Sequence, residues 1–276
     1  MTKDEVLELL KKGQNRFLNL DLSGLDFHGI SFEMSEFIDC NLERCVFSAS
    51  NMAWSYFFNV KMEGTQMNTT KLTNCVFDNC NAFEAEFINA NMSSSKIKNS
   101  NFHKAFMPSV VLRGAELLDS DFREAHMEHA KMDNAILNNV NMAYSKLKYA
   151  EFHYCTLNNL NLTGSELVES HFFNANVNNV KLIGANMRNT GIEETKMNKM
   201  EMVGTNLMHC NILNSNFLES NFTGAFFDES QIFNSKILKA NFESASLDNV
   251  QMENVDLSDA NLSIVGGFTT LPQMKA

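Results

Sequence analysis

Residues 17–36 read Phe-Leu-Asn-Leu-Asp (17–21), Leu-Ser-Gly-Leu-Asp (22–26), Phe-His-Gly-Ile-Ser (27–31) and Phe-Glu-Met-Ser-Glu (32–36). Each block of five opens on a large apolar residue. The same slot stays apolar from Phe17 to Leu262, through 50 consecutive positions of which Ala82 is the weakest. With 44% hydrophobic residues, chance would produce such a run on the order of once in 10^18 chains, so the periodicity decides the fold. A period of five is neither the 3.6 of a helix nor the 2 of a flat strand. It marks a repeat architecture.

The other four slots have characters of their own. Two residues before the apolar centre, Ala, Ser, Thr or Cys fills 38 of the 49 places between Leu20 and Ala260. Small residues suit places where backbones or large neighbours come close, so this slot also points inward. The residue before the centre is usually polar, with Asn41, Asn51, Asn81, Asn91 and Asn101 typical, and the residue after it varies freely. Two after the centre, Gly24, Gly29, Gly64, Gly114, Gly164, Gly184, Gly204 and Gly224 recur beside many Asn. Both residue types tolerate the positive φ that a type II turn needs at its second central residue. Each unit therefore reads as a short extended side followed by a corner.

Ala-Asn-Met-Ser-Ser (90–94), Ala-Asn-Met-Arg-Asn (185–189), Ala-Asn-Phe-Glu-Ser (240–244) and Ala-Asn-Leu-Ser-Ile (260–264) resemble the repeats of the pentapeptide-repeat family. The resemblance covers about nine-tenths of the chain. It implies an all-β fold, a right-handed quadrilateral β-helix in which four repeats make one square coil, giving about 12 coils. The expected organisation is an N-terminal helical cap over 1–14, the solenoid over 15–264 and a C-terminal tail over 265–276. In residues 2–12, Thr2 suits an N-cap, Asp4 and Glu5 the first turn, Lys11 and Lys12 the last, and Gly13 the stop. The charged residues 2–12 carry no apolar core of a secretory leader, and no apolar run approaches a membrane span.

All six cysteines, Cys40, Cys45, Cys75, Cys80, Cys155 and Cys210, fall in the small inward slot. They read as buried, reduced, structural thiols, which fits a cytoplasmic protein. There is no catalytic constellation and no cofactor motif. His126 and His129 form an H-x-x-H that lies on no helix. His153 and His171 lie on one side in adjacent coils, close to Glu151, and read as solvated histidines rather than metal ligands. A metal enzyme built on them would require bound metal in the purified protein. Because a regular solenoid without inserted loops offers no deep pocket, the expectation is a non-enzymatic protein with no cofactor and no metal.

Net charge is −11, which speaks against direct nucleic-acid binding. Grouped by side, the solenoid charges net −3, −5, −3 and −1. The −5 side carries Glu86, Glu128, Glu166, Glu169, Asp228, Glu229 and Asp248. Proteins resembling this one include bacterial quinolone-resistance and gyrase-modulating proteins, whose acidic β-helices are thought to mimic duplex DNA. That resemblance implies DNA mimicry at DNA gyrase or topoisomerase IV, with fluoroquinolone resistance as the effect. Charge density here is roughly a third of that of duplex DNA, so the mimicry is partial. Many such relatives carry loops inserted between coils, whereas this register never slips. The rival expectation is a structural scaffold or protein–protein interaction solenoid. Positions 20 apart stack, so Leu18, Ile38 and Phe58 form an outward apolar column. Ile183 with Val203, Leu213 with Phe233, and Leu218 with Leu238 form others, and Phe268 follows in the tail. These suit a partner or a homodimer through the C-terminal coils, as the resemblance also implies.

Overall fold

Among the described residues every strand and bridge partner lies 20 residues away, so four pentapeptides close one coil. The computed structural model describes residues 1–267 and divides into two compact units, 1–136 and 137–276. Each is a parallel β-solenoid, and between them they hold about 12 turns.

The first unit opens with helix α1 (Lys3–Lys11). Thr2 caps it in a capping box: its hydroxyl accepts from the Glu5 N–H, and the Glu5 carboxylate accepts from the Thr2 N–H at 2.8 Å. Such a box satisfies two backbone donors that the first turn leaves unpaired. The solenoid follows, and one of its sides is regular strand: β1 (Arg16–Leu18), β2 (Glu36–Ile38), β3 (Tyr56–Phe58), β4 (Val76–Asp78), β5 (Lys96–Lys98) and β6 (Glu116–Leu118). These pair in order and in parallel. The other sides join through single bridges such as Asp21↔Asn41 and Asp26↔Val46. A further strand, β7 (Ile136–Asn138), begins on the unit's last residue.

The second unit has two extended sides. One holds β9 (Thr156–Asn158), β11 (Asn176–Asn178) and β13 (Lys196–Asn198). The other holds β8 (Glu151–His153), β10 (His171–Phe173), β12 (Gly191–Glu193), β14 (Asn211–Leu213), β15 (Gln231–Phe233) and β16 (Gln251–Glu253). Bridging continues to Ser246↔Gly266.

The apolar centres form the core. Phe17, Phe37, Phe57 and Phe77 stack with centroid separations of 5.0, 5.3 and 4.7 Å. Phe152 and Phe172 stack at 4.6 Å, and Phe222 and Phe242 at 4.9 Å. Burying each such ring contributes roughly 2–3 kcal/mol from area alone, and the offset stacking adds to it. Even Ala82 is fully buried.

The small slot does more than save space. Ser50 and Ser55 donate from Oγ to the carbonyls of Phe27 and Phe32 at 2.9 and 2.8 Å, and Thr65 and Thr70 do the same to Leu42 and Phe47 at 2.8 Å. Cys45 and Cys75 replace the hydroxyl with Sγ, at 2.9 Å from the Leu22 and Met52 carbonyls. All six cysteines are buried, and none is in a disulfide. Burial pushes the Cys45 thiol up to about 11, and Cys75, Cys80 and Cys210 up to about 12.

Corners come in two kinds. At 22–25 the Leu25 N–H donates to the Leu22 carbonyl at 3.2 Å with Gly24 at φ 71°, a type II arrangement. After several strand sides, the small-slot N–H instead finds a hydroxyl one coil on: Cys80 N–H to Ser100 Oγ at 3.0 Å, and Ser100 N–H to Ser120 Oγ at 3.1 Å. Positive φ extends well beyond Gly and Asn, to Trp54, Tyr144, Tyr149, Tyr154 and Ile264. A side chain in that region costs roughly 1–2 kcal/mol. The ladder offsets this at Trp54, Tyr144, Tyr149 and Tyr154, whose N–H groups bond to the next coil, as Trp54 does to the Thr73 carbonyl at 2.9 Å. Among the described residues no helix is long and apolar enough to cross a membrane.

Candidate functional site

The acidic side is best built one unit at a time. In the first unit it holds Asp26, Glu86 and Glu128 and no Lys or Arg. Glu86 and Glu128 are half-buried and not adjacent. Glu86 accepts from the Asn68 amide at 2.8 Å. Phe106, 41% exposed, bridges on to His126, and the two rings pack at 5.3 Å. His126 Nδ1 lies 3.8 Å from Glu128 Oε1, while the other carboxylate oxygen, Oε2, is buried without a hydrogen bond. Here the side is an acid–aromatic mixture rather than a row of carboxylates.

In the second unit, Glu166 pairs with Lys148 at 3.1 Å, and Glu169 sits exposed on the next corner at φ 56°. Asp228 is tied inward, accepting from the Asp248 N–H at 2.9 Å and from the Ser246 hydroxyl. Glu229 is exposed at φ 60°, with His209 Nδ1 3.4 Å from its carboxylate, and Asp248 is exposed. The carboxylates most available to a partner are therefore Glu169, Glu229 and Asp248. Position on a side was legible in the sequence, but which carboxylates are already engaged was not.

Two of the apolar columns fall on paired strands. Leu18, Ile38 and Phe58 are in register across β1–β3, with Leu18 and Phe58 exposed. Phe58 also stacks on Tyr56 at 6.2 Å. The column then turns polar at Asp78, whose side chain is only 12% exposed and is held by Lys98 at 2.8 Å. In the second unit Leu213 and Phe233 face each other across β14 and β15. Ile183 is exposed, whereas Val203, Leu213, Leu218, Phe233 and Leu238 are half-buried. Phe268 lies outside the described residues.

Asn138, Asn158, Asn178 and Asn198 share one column, but the amide-to-amide bonds run along the corner beside it. Asn159 donates to Asn139 at 3.0 Å, and Asn179 to Asn159 at 2.7 Å. The Asn198 side-chain oxygen is buried without a partner.

Two histidines meet on adjacent coils of the second unit. His153 on β8 and His171 on β10 lie on the solvent side, with His153 Nε2 3.2 Å from His171 Nδ1. His171 Nε2 in turn lies 3.5 Å from Glu193 Oε1 on β12.

Eight copies of the family model described as pentapeptide repeats match this chain, over residues 35–74, 65–99, 75–114, 109–139, 120–159, 150–189 and 232–263. The chain belongs to the pentapeptide-repeat family. No curated protein matches it. Among solved structures it is similar to HetL, a pentapeptide-repeat protein involved in heterocyst differentiation regulation from the cyanobacterium Nostoc sp. strain PCC 7120. Identity is 17%, coverage is 96% of each chain and the TM-score is 0.27. It is also similar to a trypsin-treated variant of QnrB1, a plasmid-mediated fluoroquinolone resistance protein, at 14% identity over 86% of this chain and 92% of that one, with a TM-score of 0.35. A mannuronic-acid-specific polysaccharide lyase from human gut microbiota matches at 8% identity over 89% and 68%, with a TM-score of 0.33. Pentapeptide repeats account for the coils and corners described above, and the pattern of exposed side chains on them is this chain's own.

Proposed function

We propose that this pentapeptide-repeat protein is a non-enzymatic binding protein whose acidic side occupies the DNA-binding surface of a type II topoisomerase, DNA gyrase or topoisomerase IV. The observation that carries the reading is the excess of carboxylates on one side: in the first unit it holds Asp26, Glu86 and Glu128 with no Lys or Arg. On that side Glu169, Glu229 and Asp248 stand exposed in the second unit. Carboxylates spaced along a solenoid offer a cationic groove what phosphates offer it. Such a protein acts in the cytoplasm, where six reduced thiols are at home, and self-association through the half-buried Leu213 and Phe233 would present two acidic sides in one assembly. Binding there would exclude DNA, and under a fluoroquinolone it would protect the enzyme.

The triple variant Glu169→Lys, Glu229→Lys, Asp248→Lys tests this. All three sites are exposed, so the solenoid tolerates the change, and circular dichroism verifies that. The variant loses its effect on topoisomerase-catalysed supercoiling. An undiminished effect in the folded variant contradicts the acidic side. A second reading, a scaffold that docks a protein partner, is favoured by the exposed Leu18 and Phe58 column. In that case Phe58→Lys, and not the acidic variant, abolishes partner capture.

A further inference from the structure

Among the described residues of the first unit, four of the seven exposed large apolar side chains crowd into one place. Leu18 and Phe58 stand on β1 and β3, with Ile38 between them on β2. Met34 and Trp54, 60% and 58% exposed, stand on the corner that leads into β2 and β3. Tyr56, stacked on Phe58, fills the space between that corner and the column. Exposed apolar area gathered in this way marks an interaction surface.

The far end of each strand opens directly into a cleft. Asn19, Asp39 and Asn59 follow Leu18, Ile38 and Phe58 in the chain, and they line an open cleft of about 700 Å³. Its charged lining is Asp21, Asp39, Glu43 and Glu63 against Lys61 alone. Among the described residues none of these four carboxylates is in an ion pair. Two of them are held by chains of amides. Asn79 donates to Asn59 and Asn59 to Asp39, while Asn101 donates to Asn81 and Asn81 to Glu63. The apolar face therefore runs into a cleft whose charge is negative and unmatched.

A partner cannot join this side as another strand, because β1–β3 already pair with one another from coil to coil. A docked segment must satisfy its own backbone, and a helix does so. The cleft extends from Asn19 to Asn99. Four coil spacings of roughly 4.8 Å give about 19 Å, the length of a helix of about 13 residues.

We propose that the β1–β3 side and the adjoining cleft dock a basic amphipathic helix of a protein partner. Its apolar face lies on Leu18, Phe58 and Trp54, and its Lys and Arg side chains enter the cleft against Asp39, Glu43 and Glu63. Charge decides the partner's chemistry, since an acidic helix would bring carboxylates to a cleft that holds one cation. This deepens the scaffold reading and rests on it. No residue of the triad Glu169, Glu229 and Asp248 takes part.

Trp54 is the chain's single tryptophan, so its emission reports this surface directly. The probe is a synthetic leucine–lysine peptide of about 13 residues, with its leucines on one helical face, titrated into the full chain. Binding shifts Trp54 emission to the blue, shields it from iodide and weakens as salt is added. Leu18→Ser with Phe58→Ser lowers affinity at least 10-fold. So does the triple variant Asp39→Asn, Glu43→Gln, Glu63→Gln, and circular dichroism verifies both folds. The Glu169→Lys, Glu229→Lys, Asp248→Lys variant binds as wild type does, and a peptide with glutamate in place of lysine does not bind. The inference is overturned by an unmoved Trp54 at micromolar peptide, by equal affinity for the two peptides, or by undiminished binding in either first-unit variant. Equal weakening in the second-unit variant also overturns it, since the peptide would then be adhering to charge anywhere. If the basic peptide fails to bind while Phe58→Lys still abolishes partner capture, the scaffold reading stands and the helix assigned here is wrong.

Discussion

Raising the pH above 9 should weaken the solenoid through its buried thiols, by an amount the structure sets. Cys75 and Cys80 sit in the first unit with thiols pushed up to about 12 by burial, against an ordinary value near 9. Two consequences follow. At pH 8 about one unfolded thiol in ten is thiolate, while a thiol at 12 is thiolate about once in ten thousand. Reaction of the native protein with a disulfide reagent such as DTNB is therefore at least a thousandfold slower than that of the urea-unfolded chain, before any steric protection is counted. The second consequence is linkage. The folded state holds these protons more tightly than the unfolded state, so their contribution is fully present below pH 9 and is lost as pH rises from 9 toward 12. Each thiol lowers unfolding free energy by about 1.4 kcal/mol per pH unit in that window, so the pair contributes about 3 kcal/mol per unit. The assay is urea unfolding of the reduced protein between pH 8.5 and 10.5, alongside the Cys75→Ala, Cys80→Ala variant. Alanine fills this slot at Ala85, Ala90 and Ala105, each fully buried, so the variant folds. Lysine and tyrosine titration is common to both proteins and cancels. Wild type shows the steeper loss. Identical slopes, or native thiols labelled as fast as unfolded ones, would refute the account of the small slot as a dry interior position.

Two further perturbations follow from the core and the corners. Phe77→Ala removes a fully buried ring stacked 4.7 Å from Phe57 and should cost about 3–5 kcal/mol. Because solenoid coils contact mainly their neighbours, hydrogen exchange should rise around residues 57–97 and little beyond. Gly164→Ala places a methyl 2.5 Å from the exposed Tyr144 ring at φ 65°, whereas Gly184→Ala meets nothing within 4 Å at φ 63°. Both should destabilise by about 1 kcal/mol from the left-handed backbone. Only the first should also shift Tyr144 fluorescence, and equal spectra in the two variants would contradict the described corner packing.

The fold was legible because one physical requirement repeats. A large apolar centre and a small inward slot every five residues leave no other way to bury both, and Phe17 through Leu247 are buried centre by centre. Thr2, Asp4, Glu5 and Lys11 likewise announced α1 through local rules that act within one turn. What the sequence could not convey is what side chains do across coils. Nothing local distinguishes the engaged Asp228 from the exposed Glu229, since the difference lies in Ser246 and the Asp248 N–H one coil on. The corner rule was too narrow for the same reason: Trp54 and Tyr154 accept the left-handed conformation because the ladder holds them there. His153 and His171 were visible as neighbours. The seat of the His171 ring on Gly191, where a Cβ would stand 2.5 Å from His171 Cδ2, was not, because glycine at a strand start carries no signal until a ring is seen resting on it.

The central functional claim is that the acidic side competes with DNA for a type II topoisomerase. The most direct measurement is gyrase supercoiling titrated with this protein, with and without a fluoroquinolone. The account predicts rescue of supercoiling under the drug, or dose-dependent inhibition without it, and loss of either effect in the Glu169→Lys, Glu229→Lys, Asp248→Lys variant. Unchanged supercoiling in both conditions at micromolar folded protein would contradict it.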